Sequence, residues 1–239
     1  MAETVPSIEC YDRAVPHRGK FITIEGLDGS GKSTQLERLA KVLRSDGLEV
    51  LVTREPGGTD IGEKIRHVLL NTGTANLSPL AELALMFASR AQHIKEVIQP
   101  ALAEGKIVLC DRFTDSTEAY QGGGRKLGSQ PVLELHRILC GNLQPELTIL
   151  MDSDVNASVE RARRRNAARN HGKRATMDEN RFEQESRAFF GRVRSAYLAL
   201  AEREPERVVV VDARGSADQT HAVIVKLVRK KLRLAAKTA

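Results

Sequence analysis

A glycine-rich stretch near the beginning of the chain constrains its fold more than any other feature. Residues 26–33, GLDGSGKS, match the pattern G-x-x-x-x-G-K-[ST] at every fixed position. The stretch follows a short apolar run, FITIE, and precedes a segment with apolar residues at helical spacing. In such a loop, successive backbone N–H groups and the positive end of the following helix bind phosphate. The pattern therefore predicts a strand, a loop that binds a nucleoside triphosphate, and a helix.

The loop residues have distinct expected roles. Lys32 is expected to reach the β- and γ-phosphates, and the Ser33 hydroxyl is expected to ligate Mg²⁺. The residues expected to contact the nucleotide are Gly26, Leu27, Asp28, Gly29, Ser30, Gly31, Lys32, Ser33 and Thr34. The loop alone leaves GTPases, motor-type ATPases and small-molecule kinases open. The chain has no guanine-reading N-K-x-D sequence, which counts against a GTPase.

Short apolar runs alternate with helical patterns along the rest of the chain. The predicted strands are residues 21–25, 49–53, 107–110, 147–151 and 208–211. The predicted helices are residues 32–43, 79–104, 131–140, 155–165, 178–203 and 217–234. This alternation indicates an α/β fold of three layers, in which a five-stranded parallel sheet carries helices on both faces. Ligands of such sheets bind beyond the carboxyl ends of the strands.

Length and composition favour one intracellular domain. Residues 21–239 are expected to form the domain, and the polar residues 1–20 are expected to form a mobile leader. No apolar run has the length of a signal peptide or a membrane span, so no membrane partner is expected. The three widely spaced cysteines indicate neither a disulfide framework nor a zinc site, which fits the reducing cytoplasm.

The net charge of +6 is concentrated in two segments. Residues 161–174 hold seven Lys or Arg and residues 226–237 hold six, and neither segment contains an acidic residue. With no Trp and 4% aromatic residues, the chain has little on which nucleic-acid bases could stack. We therefore expect no nucleic-acid partner, and the second segment is interpreted as the solvated face of a last helix.

Two further segments follow predicted strands at the same edge of the sheet. One is TREPGGTDIGEKIR, residues 53–66, and the other is LCDRFTDSTEAYQGGGR, residues 109–125. Each places arginine beside small residues, and a guanidinium can bind a phosphate through two hydrogen bonds. Two phosphate-bearing ligands at one edge suggest phosphoryl transfer between them.

Four motifs together resemble a known family. GLDGSGKST, TREPGGT, DRF and AYQGGGR, in this order and spacing, are similar to those of the bacterial thymidylate kinases, P-loop nucleoside-monophosphate kinases that make dTDP from dTMP and ATP. The resemblance extends from about residue 21 to the final helix. It implies a P-loop NTPase fold with a helical lid, Mg²⁺ as cofactor, ATP and dTMP as substrates, and a homodimer.

The resemblance also implies roles for the charged residues near the loop. Asp28 would lie near the sugar 3′-hydroxyl of the acceptor and the water shell of the metal. Asp111 would hold Mg²⁺ together with Ser33, and Arg112 would bridge the dTMP phosphate and the transferring group. For Asp28 a helix-capping role, and for Arg112 a plain salt bridge, are the structural alternatives.

A larger group is assigned to dTMP by the resemblance. Its members are Arg54, Glu55, Pro56, Arg66, Phe87, Arg90, Arg112, Ser116, Thr117, Tyr120 and Gln121. In such enzymes Arg66 would grip the monophosphate, Glu55 and Pro56 would shape the cleft, and Arg90 would reach the base carbonyl. Tyr120 would crowd the 2′ position and disfavour a ribonucleotide. For Arg54 a structural ion pair is the alternative.

The base itself needs an apolar stack and a few hydrogen bonds. The residues that lie where the family reads the base edge are Ser116, Thr117 and Gln121. The family's stacking phenylalanine stands four residues before the arginine, where this chain has Met86, whereas Phe87 is three before. Both positions lie on one helical face, and Phe87 is the predicted stack, with a core residue as the alternative.

A catalytic cation is expected from a lid at about residues 161–181. Its first arm carries Arg161, Arg163, Arg164, Arg165 and Arg169, and Arg181 follows on the second. Arg165 and Arg181 are the predicted catalytic arginines, together with Lys32, Asp28 and Arg112. The segment 166–176 is longer than the lids typical of the family, and Asn180 replaces an Asp that usually precedes the second arginine. The alternative for any one of these arginines is simple solvation.

Two other functions remain open at this level. One is a related P-loop kinase that acts on a nucleoside or another nucleotide. The other is a P-loop switch or assembly ATPase, although the motifs assigned to the acceptor have no evident role in a switch.

Overall fold

A central parallel sheet carries the functional loops. The computed structural model describes residues 19–74, 76–170 and 181–233. Its strands are β1 (Lys20–Glu25), β2 (Val50–Arg54), β3 (Ile107–Asp111), β4 (Leu147–Asp152) and β5 (Val208–Asp212). They form a five-stranded sheet in the order β2-β3-β1-β4-β5, and every adjacent pair is parallel. The strand and fold predictions are confirmed, and strand ends differ from the predicted ones by at most one residue.

Helices follow the strands in the expected alternation. The α-helices in the described part of the chain are α1 (Lys32–Ser45), α2 (Asp60–Leu70), α3 (Pro79–His93), α4 (Gln99–Ala103), α5 (Thr114–Thr117), α6 (Ser129–Cys140), α7 (Val155–Asn170), α8 (Arg187–Arg203) and α9 (Ala217–Leu232). Wider π-helical turns join α3 to α4 (Ile94–Ile98) and extend α5 (Glu118–Gly124). None of the helices in the described part of the chain is long and apolar enough to span a bilayer.

Alternation along β1 explains why both faces of the sheet are covered. Ile22 and Ile24 point to one face, where they pack with residues of α1 and α9, and Phe21 points to the other face, where it packs with α3 and α4. All three side chains have 0% exposure. Each face of the sheet is therefore buried by a separate layer of helices, which a continuous apolar strand requires.

Two element starts differ from the sequence predictions in ways that affect the predicted leader and lid. Lys20, assigned to the leader, is the first residue of β1, and residues 1–18 lie outside the described part. The predicted helix 178–203 begins at Arg187, because Ser186 caps it by accepting a hydrogen bond from the Phe189 N–H at 3.1 Å. Its predicted start at 178 also lies outside the described residues.

The glycines of AYQGGGR lie in a helical segment. The segment is a buried π-helical turn packed against α8. A Cβ atom at Gly124 would lie 2.6 Å from the Phe189 ring. Gly124 therefore allows close packing of two helices.

The strand register brings the candidate residues together. Ile24 of β1 pairs with Asp111 of β3, and Arg54 of β2 pairs with the same Asp111. The carboxyl ends of three neighbouring strands therefore meet at one edge of the sheet.

Candidate active site

The phosphate-loop segment connects β1 to α1 in close contact with α7. Gly29 has a φ of +80°, and a Cβ atom there would lie 2.2 Å from the Ser158 carbonyl oxygen. Only glycine fits this approach. Helix α1 starts at Lys32, and its preceding residue, Gly31, has no side chain with which to cap the helix. The first N–H groups of α1 therefore lack a side-chain cap from Gly31, which suits the binding of an anion.

Lys32 lies inside this loop. Its ammonium donates a hydrogen bond to the Leu27 carbonyl at 2.8 Å, and the residue is 5% exposed. Burial, followed by the charge of Arg112, lowers the pKa of Lys32 to about 8, although Asp28 and Asp111 oppose the shift. The loop thus holds a cation that only a strong anion nearby can fully stabilise.

Ser33 and Asp111 form a pair that fits a divalent cation. The Ser33 hydroxyl donates to Asp111 Oδ2 at 2.8 Å, and the buried Oδ1 of Asp111 has no hydrogen-bond partner. Within the described residues no three His, Cys, Asp or Glu side chains cluster as a metal site. A cation held here would therefore take most of its ligands from phosphate and water, which is the usual coordination of Mg²⁺ in phosphoryl-transfer sites.

Arg112 connects the phosphate loop to the segment after β3. Its guanidinium lies 2.8 Å from Asp28 Oδ1, donates to the Ser116 hydroxyl at 2.9 Å, and lies over the Tyr120 ring with Cζ 5.0 Å from its centroid. The backbone of Arg112 has a φ of +71°. Such a conformation costs roughly 1–3 kcal/mol for a non-glycine residue, so the surrounding structure must hold it. Its N–H donates to the Ile24 carbonyl at 3.1 Å.

Arg112 also determines the charge state of Asp28. Burial acts to raise the pKa of Asp28, but Arg112, followed by Lys32 and Arg165, outweighs it and holds that pKa well below its usual value. Arg112 therefore forms a salt bridge with Asp28, and this ion pair is part of a larger set of contacts around the loop.

Glu25 is a site residue that the sequence analysis did not identify. It is fully buried at the end of β1 and accepts hydrogen bonds from the Phe113 N–H at 2.6 Å, the Ser116 hydroxyl and the Tyr197 hydroxyl at 3.2 Å. Burial, followed by the nearby charge of Asp115, raises the pKa of Glu25 to about 8. One sequence signal could have identified Glu25: it is an acidic residue at the end of an apolar strand, next to the glycine loop. Ser116 donates its hydroxyl hydrogen to this carboxyl group, and its predicted contact with the base stays a prediction.

The loop after β2 is held by its own arginines. Arg54 forms an ion pair with Glu63 at 2.9 Å, and both side chains are substantially exposed. The structural ion pair considered as the alternative for Arg54 is therefore present. Arg66 donates to the Pro56 carbonyl at 3.0 Å. Its predicted grip on a monophosphate stays a prediction.

Arg90 is the buried cation of the acceptor side. Its Nε donates to Glu55 Oε2 at 2.7 Å and its Nη2 donates to the Thr117 hydroxyl at 2.8 Å, whereas its buried Nη1 has no partner. One nitrogen of Arg90 is thus left for an acceptor atom of a ligand.

Gln121 donates to Glu82 Oε1 at 2.7 Å.

The structure argues against Phe87 as an open stacking surface. The Phe87 ring has 0% exposure, lies in the core beneath α3, and has Arg90 Cζ 4.9 Å from its centroid. Met86 is only partly buried and packs against the cluster that contains Tyr120. Since a base cannot stack on a fully covered ring without rearrangement, the alternative of a core residue describes Phe87 better in this conformation.

The first arm of the lid contacts the phosphate loop through Arg161. Arg161 donates to the Gly29 carbonyl at 2.7 Å, and the charge of Arg165 contributes to the lowered pKa of Asp28. Arg163 instead donates to the Glu183 carbonyl, and Arg164 pairs with Glu160. The side chain of Arg169, and all of Asn180, lie outside the described part of the chain.

Arg181 contacts the body of the protein. It is 6% exposed, donates to the Leu69 carbonyl at 2.6 Å, and forms an ion pair with the fully buried Glu82 at 2.7 Å. Its guanidinium also lies over the Phe182 ring, 4.6 Å from the centroid. These contacts hold the second arm against α2 and α3, and they do not support the predicted catalytic role of Arg181.

Comparisons with known proteins agree with this geometry. The family model for thymidylate kinase matches residues 24–224. A thymidylate kinase from Syntrophotalea carbinolica is 51% identical over 83% of this chain and 90% of its own length. Another, from Pseudomonas syringae pv. tomato, is 48% identical over 90% of this chain and 98% of its own length. The crystal structure of a thymidylate kinase from Ehrlichia chaffeensis superposes with a TM-score of 0.69 at 30% identity, covering 88% of this chain and 98% of that one.

Proposed function

This chain belongs to the thymidylate kinase family, and on that premise we propose how its own residues carry out the reaction. The enzyme transfers the γ-phosphoryl group of ATP to dTMP, giving dTDP and ADP. The observation that carries the proposal is the 2.8 Å contact between Asp28 of the phosphate loop and Arg112. This contact supports a fixed cation between the phosphate loop and the segment to which we assign the acceptor.

On the donor side, the loop binds the triphosphate through its N–H groups. In our proposal Lys32 exchanges the Leu27 carbonyl for the β- and γ-phosphates when ATP enters. Ser33 and Asp111 would hold Mg²⁺, which would supply neutralisation of the phosphate charge. Arg165 and Arg161 add positive charge from the lid.

On the acceptor side, Arg112 and Arg66 bind the dTMP phosphate, and Arg90 donates a hydrogen bond to a carbonyl oxygen of the base. Asp28 keeps Arg112 in place and lies near the sugar. The attacking phosphate oxygen is already ionised, so no strong general base is needed, and catalysis comes from positioning and charge neutralisation.

The pKa of Lys32 predicts how activity depends on pH. Burial disfavours the charged form, so the free enzyme loses the Lys32 charge as the pH rises through about 8. Since kcat/KM reports the free enzyme, kcat/KM for ATP is expected to be constant below this pH and to fall above it. Steady-state kinetics between pH 6 and pH 10 measure this.

A matched variant separates two groups that titrate together. Glu25 ionises in the same range, because burial raises its pKa to about 8. The Lys32→Arg variant keeps its charge at all these values. If the fall persists in that variant, it belongs to Glu25 and the assignment to Lys32 is wrong.

Acceptor choice tests the whole proposal together with Tyr120. ADP release is expected to require a thymidine monophosphate, and thymidine itself should not support it. The Tyr120 ring is enclosed by Phe182, Phe189 and Tyr197, at centroid distances of 5.7, 6.1 and 6.4 Å. Since exclusion of a 2′-hydroxyl depends on ring volume, Tyr120→Phe should keep the preference for dTMP over ribo-TMP. Tyr120→Ala should reduce this preference at least tenfold.

The preference is the ratio of the activities with dTMP and ribo-TMP in one sample. Partial unfolding lowers both activities equally and leaves their ratio unchanged. Removal of a buried aromatic ring costs about 3–5 kcal/mol of stability, and the Tyr120→Ala variant is therefore assayed well below its melting temperature. An unchanged ratio in this variant means that the sugar is read elsewhere. ADP release that is independent of any acceptor would favour a switch ATPase.

We also propose a cytoplasmic homodimer. The described cysteines, Cys110 and Cys140, are free and buried. Exposed apolar side chains, Ile61, Val68 and Leu80, lie on the adjacent helices α2 and α3 and offer surface for a second copy.

A further inference from the structure

His93, at the end of α3, has no role in the sequence analysis or in the reaction described above. It is completely buried. Its Nδ1 lies 3.0 Å from Glu55 Oε1, and its Nε2 lies 2.6 Å from the Thr53 hydroxyl oxygen. Gly58 lies directly against the imidazole, since a Cβ atom there would be 2.6 Å from the ring. Strand β2, the loop after it and α3 therefore enclose the histidine on several sides.

The ionisation state of Glu55 determines which atoms donate in the hydrogen bonds of His93. Burial acts to raise the pKa of Glu55, but the charge of Arg90, followed by the contacts of His93, outweighs it, so this pKa is lowered and the carboxylate is ionised. An ionised carboxylate only accepts hydrogen bonds. The Nδ1–H of His93 therefore donates to Glu55 Oε1, and in the neutral ring Nε2 accepts from the Thr53 hydroxyl.

Each oxygen of Glu55 then has one partner. Oε1 accepts from His93, and Oε2 accepts from Arg90 Nε at 2.7 Å. Because His93 holds the carboxylate in one orientation, the carboxylate in turn holds the plane of the Arg90 guanidinium.

The fixed guanidinium presents a single unsatisfied nitrogen. Nη2 of Arg90 is occupied by Thr117 at 2.8 Å, and Nη1 is buried without a partner. A buried N–H group without an acceptor is unfavourable, and a carbonyl oxygen of a ligand would satisfy it. A sulfur atom at the same position accepts a hydrogen bond only weakly.

We propose that His93 is a positioning residue for base recognition: through Glu55 it fixes Arg90 so that Nη1 selects a carbonyl oxygen at position 4 of the pyrimidine. The inference rests on the proposed function, in which Arg90 meets the base. His93 itself does not touch the substrate.

Two ligands that differ in one atom provide the test. dTMP carries oxygen at position 4 and 4-thio-dTMP carries sulfur, while N3–H, the 5-methyl group and the phosphate are unchanged. Dissociation constants measured by titration calorimetry should show at least about a tenfold preference for dTMP in the wild type, as a charged hydrogen bond supports. His93→Leu should reduce this preference at least fivefold and leave the dissociation constant for ATP unchanged.

A conservative variant distinguishes positioning from packing. Asparagine can place an amide N–H where the imidazole has Nδ1, so His93→Asn should retain most of the preference that His93→Leu loses. A purely structural role would instead lower the thermal stability of both variants without changing the ratio of the two dissociation constants.

The outcomes separate this inference from the proposed function. No preference in the wild type would mean that Arg90 does not meet the base carbonyl, and the proposed base site would fail. A wild-type preference that persists in a folded His93→Leu variant overturns the role of His93 alone. If His93→Leu does not fold, Thr53→Val removes the hydroxyl at Nε2, and an unchanged ratio in that variant overturns the inference equally.

Discussion

Replacement of Lys32 by alanine is expected to lower kcat by about a hundredfold to a thousandfold and to leave the fold intact. The ammonium lies in the loop, 2.8 Å from the Leu27 carbonyl, and ATP offers phosphate oxygens in place of that carbonyl. Charge that develops on the transferring group is stabilised by such fixed donors, and loss of one donor in a site of this kind costs about 10²–10³ in rate. Steady-state turnover with dTMP, together with circular dichroism and thermal melting, measures both effects.

Lys41 provides the matched control on the same helix. It lies on α1 and is exposed, so Lys41→Ala removes one lysine from the same element without touching the loop. This variant should retain wild-type kinetics. Comparable losses in the two variants, or near wild-type turnover in Lys32→Ala, would contradict the assignment of the triphosphate site.

Replacement of Arg165 by alanine is expected to lower kcat and kcat/KM together by at least about a hundredfold. The charge of Arg165 contributes to the lowered pKa of Asp28, and Arg161 on the same arm donates to the Gly29 carbonyl. An arginine that acts on the transferring group can be worth 10³–10⁵ in rate, about 4–7 kcal/mol, and its loss leaves ground-state binding of ATP nearly unchanged. Turnover and ATP dissociation constants at two ionic strengths measure this.

Arg164 is the matched control for the lid. It is adjacent in sequence, its side chain is 77% exposed, and its ion pair with Glu160 stays within α7. Arg164→Ala should change kcat less than twofold. If Arg164→Ala and Arg165→Ala both cause small losses that added salt reproduces, the charged segment contributes only local potential. The catalytic cation would then be Lys32 or Arg112.

The phosphate loop and the strands could be predicted because their signals are local. Glycines that permit positive φ, a lysine and a serine at fixed spacing, and apolar runs of strand length act through neighbouring backbone. The alternation of these runs with helices predicts a parallel sheet, and a parallel sheet brings Asp28, Asp111 and Arg112 to one edge.

The contacts of other residues could not be predicted because their partners are distant in sequence. Arg181 carries the same charge as Arg165, but the buried Glu82, 99 positions earlier, holds it at 2.7 Å. Phe87 and Met86 are adjacent on one helix, and only the packing of α3 determines which of them is covered. The glycines of AYQGGGR are typical of a flexible loop, whereas Gly124 packs directly against the ring of Phe189.

The sequence by itself determined the order of strands and helices along the chain, the triphosphate loop and the family, since these depend on short patterns and on backbone geometry. Only the tertiary structure decided the partner of each charged side chain. Glu25 and His93 became recognisable as candidate site residues through contacts that span tens of residues. A buried charge is stable only with partners that satisfy it, and those partners are brought together by the packing of the sheet and its helices, which no short segment specifies.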